Sequence, residues 1–213
     1  MTFTVPDTLM CVANGQMTGT SDQNENDNYK SYHWQVSYPI NNYNVTLNIA
    51  KYAHFDDHYV DDGDTLPLDY YVLPYSLDTA KEHFQQVHGM LDAFHHYFGP
   101  YPFWEDGFAL VETPYLGMEH QGAIAYGNKY KDGYMGFSPA GTSFDYIVIH
   151  EAGHEWFGNS ISMSDLADLW IHEGFTTYAE ALYVAYHHSY ERSIRYLNTK
   201  KRRLNNQKPI LGI

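Results

Sequence analysis

Between residues 31 and 73 the apolar positions fall in short runs rich in branched and aromatic side chains, at 31–38, 44–52 and 68–73. Turn formers such as Pro39, Asn41 and Asn42 separate them. Such runs predict β-strands, and the first 75 residues read as β-structure throughout. Polar stretches at 21–28 and 56–64 are expected to be loops. The second holds Asp61-Asp62-Gly63-Asp64, whose carboxylates lack the ordered spacing of a calcium loop and read as a solvated turn. After Pro74-Tyr75-Ser76 the period becomes helical. Phe84, Val87, Leu91, Phe94 and Phe98 recur at intervals of three and four, and Gly99-Pro100 stops the run. The change of period places a domain boundary near Ser76, dividing the chain into 1–75 and 76–213. In the second part, 108–113 and 123–126 predict strands, with Gly117-Met118-Glu119-His120 between them. A helix over 142–157 is expected to be capped by Thr142 and Asp145 and ended by Gly158-Asn159. Two more helices are expected at 171–187 and 190–206, the last burying Ile194, Leu197 and Leu204 and leaving Lys200-Lys201-Arg202-Arg203 in solvent.

Composition narrows the function classes. The 213 residues carry 12 Lys and Arg against 26 Asp and Glu, a net charge of −14. Seven of the basic residues lie from Arg192 onward, so residues 1–191 are more acidic still. Such a surface repels nucleic acid and anionic membranes, and neither is an expected partner. Aromatic residues make up 17% of the chain, with 21 Tyr, which is packing material for a folded protein. No apolar run is long enough to span a bilayer. With Cys11 the single cysteine, an intramolecular disulfide and every multi-cysteine metal site are excluded, so a metal must be held by histidine and carboxylate.

The candidate chemistry lies in His150-Glu151-Ala152-Gly153-His154, inside the helix expected at 142–157. Positions i and i+4 share one helical face, so both imidazoles can reach one zinc ion while Glu151 addresses an activated water. Chance alone gives about 0.04 matches to this pattern in a chain of this composition. Context sharpens it. Tyr146-Ile147-Val148-Ile149 make the preceding turn apolar, and Glu173 follows His154 by nineteen residues at the head of the next helix. A carboxylate there completes a two-histidine, one-carboxylate site with an open fourth position, the hydrolytic arrangement. Thr177 and Glu180, four and seven residues after Glu173, are candidates to orient a ligand, as is Asp168. His172 points off that face and is not expected to be a ligand.

The run from His150 through Trp156-Phe157-Gly158-Asn159, then Asp168-Leu169-Trp170-Ile171-His172-Glu173-Gly174-Phe175, then Tyr178-Ala179-Glu180, resembles the zinc site of the aminopeptidase N (membrane alanyl aminopeptidase) family of gluzincin zinc metallopeptidases. Leu116-Gly117-Met118-Glu119-His120 is similar to that family's exopeptidase signature. Residues 97–103 and 10–15 are similar to further family segments, so the resemblance touches nearly the whole chain. It implies an α+β fold: a thermolysin-like catalytic domain over 76–213, truncated at its C-terminal side, preceded by the C-terminal part of an N-terminal β-domain over 1–75. It implies one zinc per chain on His150, His154 and Glu173, with Glu151 as general base, and a peptide substrate with a free N-terminus. Glu119 would receive the substrate α-ammonium, while Gly117 and Met118 would present backbone groups to the substrate strand.

Two departures bear on activity. His120 and Leu116 stand where the family usually has Asn and Gly. The family's oxyanion-stabilising tyrosine falls several tens of residues beyond Glu173, whereas Tyr178, Tyr183, Tyr186 and Tyr196 come too early, so the chain is expected to be a fragment. A missing oxyanion donor costs on the order of 10²–10³ in rate. The rival readings are a thermolysin-like endopeptidase sharing His150, Glu151, His154 and Glu173, and a zinc-binding scaffold without activity.

Overall fold

The computed structural model describes residues 1–22, 28–138, 141, 143–201, 204 and 207. The chain forms two compact units, neither continuous in sequence: Met1–His83 with Phe103–Gly127, and Phe84–Pro102 with Asn128–Ile213. Among the described residues no helix is long and apolar enough to cross a membrane.

The first unit is built on strands. β1 (Thr2–Pro6), β4 (Tyr29–Gln35) and β3 (Gln16–Asp22) form an antiparallel sheet in that order, and β2 (Met10–Ala13) pairs with β5 (Leu47–Ala50). A mixed sheet has the order β6-β7-β8-β10-β9, with β6 (Ala53–Asp61), β7 (Asp64–Val72), β8 (Phe108–Glu112), β9 (Gly117–Met118) and β10 (Ile124–Tyr126). β7, β8 and β10 run parallel; β8 and β10 are buried almost throughout, as strands covered on both faces must be, and β7 is buried toward its C-terminal end. A short helix, α1 (Leu77–His83), follows β7.

The expected loop at 56–64 is instead the distal part of a hairpin. β6 and β7 pair from Ala53↔Val72 to Asp61↔Asp64 across a two-residue turn, in which Asp62 and Gly63 both have positive φ. Asp-Gly fits that turn because glycine has no Cβ to clash and aspartate tolerates the left-handed region. The strand is easy to miss in the sequence because its two faces differ little in polarity: His54, Asp56 and His58 alternate with Phe55, Asp57 and Tyr59. Part of the other expected loop, 23–27, lies outside the described residues, and Ser21 and Asp22 end β3.

Side chains from all three sheets share one apolar cluster, including Val5, Cys11, Val12, Tyr32, Trp34, Tyr71 and Val111. Asn14, fully buried, ties the unit together: its Nδ2 donates to the carbonyls of Asn44 and Gln121, and its Oδ1 accepts from the Thr46 amide at 2.7 Å. Cys11 lies in the middle of this cluster, and burial pushes its thiol pKa up to about 11.

The second unit is helical: α2 (Gln86–Phe98), α3 (Tyr146–Gly153), α4 (Trp170–His187) and α5 (Tyr190–Lys201). α2 begins after Phe84 and ends as expected at Gly99, whose left-handed φ lets its amide return to the His95 carbonyl at 2.9 Å. α3 starts at the cap Asp145; the other expected cap, Thr142, lies outside the described residues. α4 packs against α2, α3 and α5. Where α3 meets α4 the spacing is set by Gly153, since a Cβ there would stand 3.1 Å from the Thr176 methyl. α5 corrects an expectation. It buries Ser193 and Tyr196 while Ile194 is 37% exposed, so the buried face is rotated away from Ile194 and Leu204. Arg202, Arg203 and the expected helix end lie outside the described residues.

Two measurements check this packing. At pH 8 a thiol with a pKa near 11 is about one part in a thousand thiolate, so Cys11 is expected to resist a thiol-specific chromogenic disulfide until the protein is denatured. Asp145 is fully buried; its Oδ1 accepts from the amides of Ile147 and Val148 and from Nδ2 of Asn128 at 2.7 Å. Asp145→Ala removes the cap and strands these donors, and is expected to cost ~1–3 kcal/mol in denaturant unfolding.

Candidate metal centre

α3 is the element on which the site depends, and its sequence explains why it forms inside the protein. Ile147, Val148, Ile149 and Ala152 are buried, and the Asp145 carboxylate satisfies amides of the first turn. His150 stands within the helix, and His154 one turn on, just past its end, still has helical backbone angles. The two rings face one another edge to plane with centroids 4.9 Å apart. Glu173, in the first turn of α4, joins them. Its Oε2 lies 3.4 Å from Nε2 of His150, and its Oε1 lies 3.8 Å from Nε2 of His154.

One ligand atom from each of the three residues falls within 4.8 Å of the others. Ligands ~2.0–2.1 Å from a tetrahedral ion stand ~3.3 Å apart, so a small inward movement brings all three to bonding distance. The histidines are buried, whereas the Glu173 side chain is 55% exposed, which leaves the cluster open on one side. The donor set fits zinc: two imidazole nitrogens and a carboxylate oxygen, with room for a fourth ligand.

Each imidazole is held by the nitrogen that faces away from Glu173. Nδ1 of His150 lies 2.7 Å from Oε1 of Glu180, a wholly buried carboxylate. Nδ1 of His154 donates to the Phe157 carbonyl at 3.0 Å and lies 3.1 Å from the Thr176 hydroxyl. With Nδ1 committed to an acceptor, Nε2 is the nitrogen that faces Glu173, and it is the one whose lone pair becomes available to a metal once it gives up its proton. Tyr146 stacks on the His150 ring at 5.1 Å.

The electrostatics favour a cation here. Burial works against charge on His150, yet hydrogen bonds to Glu173 and Glu180, with the negative charges of Glu180 and Glu151, outweigh it and push its pKa up to about 10. The hydrogen bond to His150 holds the Glu173 carboxyl below the usual range; partial burial opposes this, and the charges of His154, His150 and His172 add to it. The field that keeps a proton on this cluster would also favour a divalent ion.

Of the remaining candidates, Glu151 is on α3 and buried. Thr177 is replaced by Thr176: three residues from Glu173 rather than four, it is fully buried and reaches His154. Glu180 reaches the His150 imidazole. Among the described residues no hydrogen bond joins Asp168 to His150, His154 or Glu173; it sits in the 3-10 turn Leu166–Asp168 ahead of α4. His172 is buried but not a member of the cluster; its Nε2 accepts from the Met163 amide at 3.0 Å. In the first unit, Gly117 and Met118 form β9, which pairs with β10 and lies at the edge of the mixed sheet, and Glu119 follows it directly. Thr176 and Tyr146 were the residues not singled out from the sequence, although Tyr146 stands four before His150 and Thr176 three after Glu173, both helical neighbours.

Comparison with known proteins places the chain in a family. The model of the peptidase family M1 domain matches residues 75–209. Glutamyl aminopeptidase of Mus musculus is 28% identical over 160 residues, covering 73% of this chain and 17% of that protein. Glutamyl aminopeptidase of Bos taurus is 31% identical over 157 residues, covering 72% and 16% respectively. Aminopeptidase N of Streptomyces lividans is 30% identical over 151 residues, 67% of this chain and 17% of its own length. The chain thus spans about a sixth of the length of these relatives. In fold it is similar to an M1 zinc metallopeptidase from Deinococcus radiodurans, with a TM-score of 0.77 at 22% identity over 99% of this chain and 45% of that one. Because the family model matches well over half of its residues, including the helices that carry the histidine and carboxylate cluster, the chain belongs to peptidase family M1.

Proposed function

We propose that this chain is the metal-binding part of a zinc metallo-aminopeptidase that hydrolyses the N-terminal peptide bond of peptides or proteins. The observation that carries the reading is the convergence of Nε2 of His150, Nε2 of His154 and the Glu173 carboxylate, with both Nδ1 atoms engaged on the far side. On this reading His150, His154 and Glu173 hold one zinc ion per chain. When bound, zinc lowers the pKa of a coordinated water toward ~7 and polarises the scissile carbonyl. Glu151, next in sequence to His150, accepts the proton of the attacking water as general base and delivers it to the leaving nitrogen.

The N-terminal restriction is assigned to Glu119, whose carboxylate pairs with the free α-ammonium of the substrate in a charge-assisted contact. Support for the neighbouring assignments comes from β9. As an edge strand, Gly117 and Met118 have a flank on which an extended peptide can add by main-chain hydrogen bonding, and glycine lets that backbone approach closely.

Elemental analysis of the purified chain is expected to give one zinc per chain, and His154→Ala none, with circular dichroism showing both folded. A folded parent without zinc overturns the metal reading. Glu151→Gln is expected to keep the metal and lose about 10²–10⁴-fold of the parent's peptide hydrolysis. A peptide with a free N-terminus is expected to be cleaved while its N-acetylated twin is not. Cleavage of both would make the protein an endopeptidase, and zinc binding with cleavage of neither would make this chain a zinc-binding scaffold.

A further inference from the structure

The two oxygens of Glu180 divide their partners. Oε1 serves Nδ1 of His150 at 2.7 Å. Oε2 accepts from the Tyr196 hydroxyl and lies 2.8 Å from Nζ of Lys200. Both of the latter donors come from α5, four residues apart and therefore on one helical face. The Lys200 ammonium also lies 4.3 Å from the centre of the Tyr146 ring and 5.3 Å from that of Tyr196. Tyr146 in turn stacks on His150, and its hydroxyl lies 3.3 Å from Nδ1 of the same ring. The lysine is thus fixed by a carboxylate and two aromatic faces, with its side chain only 25% exposed.

We infer that Lys200 is a positioning residue for the metal centre: by holding Oε2 it fixes the carboxylate whose Oε1 orients His150, and α5 becomes part of the apparatus that binds the ion. The inference rests on the reading of His150 as a zinc ligand. Its physical basis is the cost of a buried charge. Glu180 is wholly enclosed, and a buried carboxylate is held in place only where a countercharge and hydrogen bonds replace its water. Tyr196 and His150 supply hydrogen bonds, and Lys200 supplies a permanent positive charge on this carboxylate. Without it the carboxylate turns toward solvent, and the imidazole loses the acceptor that aims Nε2 at Glu173.

The test compares the 213-residue chain with Lys200→Met, Lys200→Arg and Tyr196→Phe, each checked for folding by circular dichroism. Zinc affinity is measured by competition with a chromophoric chelator. In parallel, proton magnetic resonance of the zinc-free protein follows the low-field Nδ1–H signal of His150, identified by its loss in His150→Ala. Lys200→Met is expected to weaken zinc binding 10–100-fold and to move the signal or broaden it by exchange with water. Lys200→Arg restores most of the affinity, and Tyr196→Phe, which keeps the ring and removes one donor, weakens binding 3–10-fold. A merely structural lysine would lower the melting temperature and leave both readouts in place. A parent that binds zinc, with a folded Lys200→Met unchanged in affinity and signal, overturns the positioning role and leaves the zinc reading intact. A parent that binds no zinc, with the signal present and lost in Lys200→Met, overturns the zinc reading while supporting the hold on His150.

Discussion

An imidazole can offer only one nitrogen to a metal, and which one it offers is decided by what holds the other. In this protein that constraint falls on Nδ1 of His150, bonded to a carboxylate, and on Nδ1 of His154, bonded to a main-chain carbonyl and a threonine hydroxyl. Everything else in the helical unit serves those contacts. α4 must lie close enough to α3 for Thr176 and Glu180 to reach the two rings, which is why position 153 has no side chain. The chain after α3 must turn back so that the Phe157 carbonyl meets His154. His172 secures that return by accepting from the Met163 amide.

The charge distribution follows the same plan. Glu151, Glu173 and Glu180 all bear on His150, and their combined field outweighs the burial that would otherwise strip its proton. Carboxylates gathered around buried imidazoles are unfavourable unless a cation joins them, because each has lost hydration that protein groups only partly replace. A proton meets that requirement in part and a divalent ion more fully. The exposure of Glu173, against the burial of both histidines, keeps the approach open on the carboxylate side.

The strand-rich unit obeys simpler rules. Its parallel strands β8 and β10 were legible because both faces are apolar, giving continuous runs such as Phe108 to Val111, and β7 was legible from Leu68 onward, where its burial begins to dominate. β6 was not, since Asp57 on the face of Phe55 and Tyr59, and Val60 on the face of His54 and Asp56, break the alternation in the sequence, and only its partner β7 fixes it. The same physics hid the true face of α5. Periodicity grouped Ile194 with Leu197, but the buried positions are Ser193 and Tyr196, and it is Tyr196 and Lys200, one turn apart, that turn a hydroxyl and an ammonium to Glu180.

Sequence alone determined the helix bearing His150 and His154, the glutamate nineteen residues on, the stop at Gly99 and the family resemblance, because these depend on local spacing and backbone chemistry that neighbours in the chain enforce. Glu180 was also legible, as a face-mate of Glu173. Tertiary structure alone decided that Thr176 and not Thr177 reaches His154, that Tyr146 covers His150, and that Lys200 stands behind Glu180. The angle at which α3, α4 and α5 pack selects among residues one position apart. A one-residue step around a helix turns a side chain by ~100°, and only the packed neighbour says which of two adjacent threonines faces the ring.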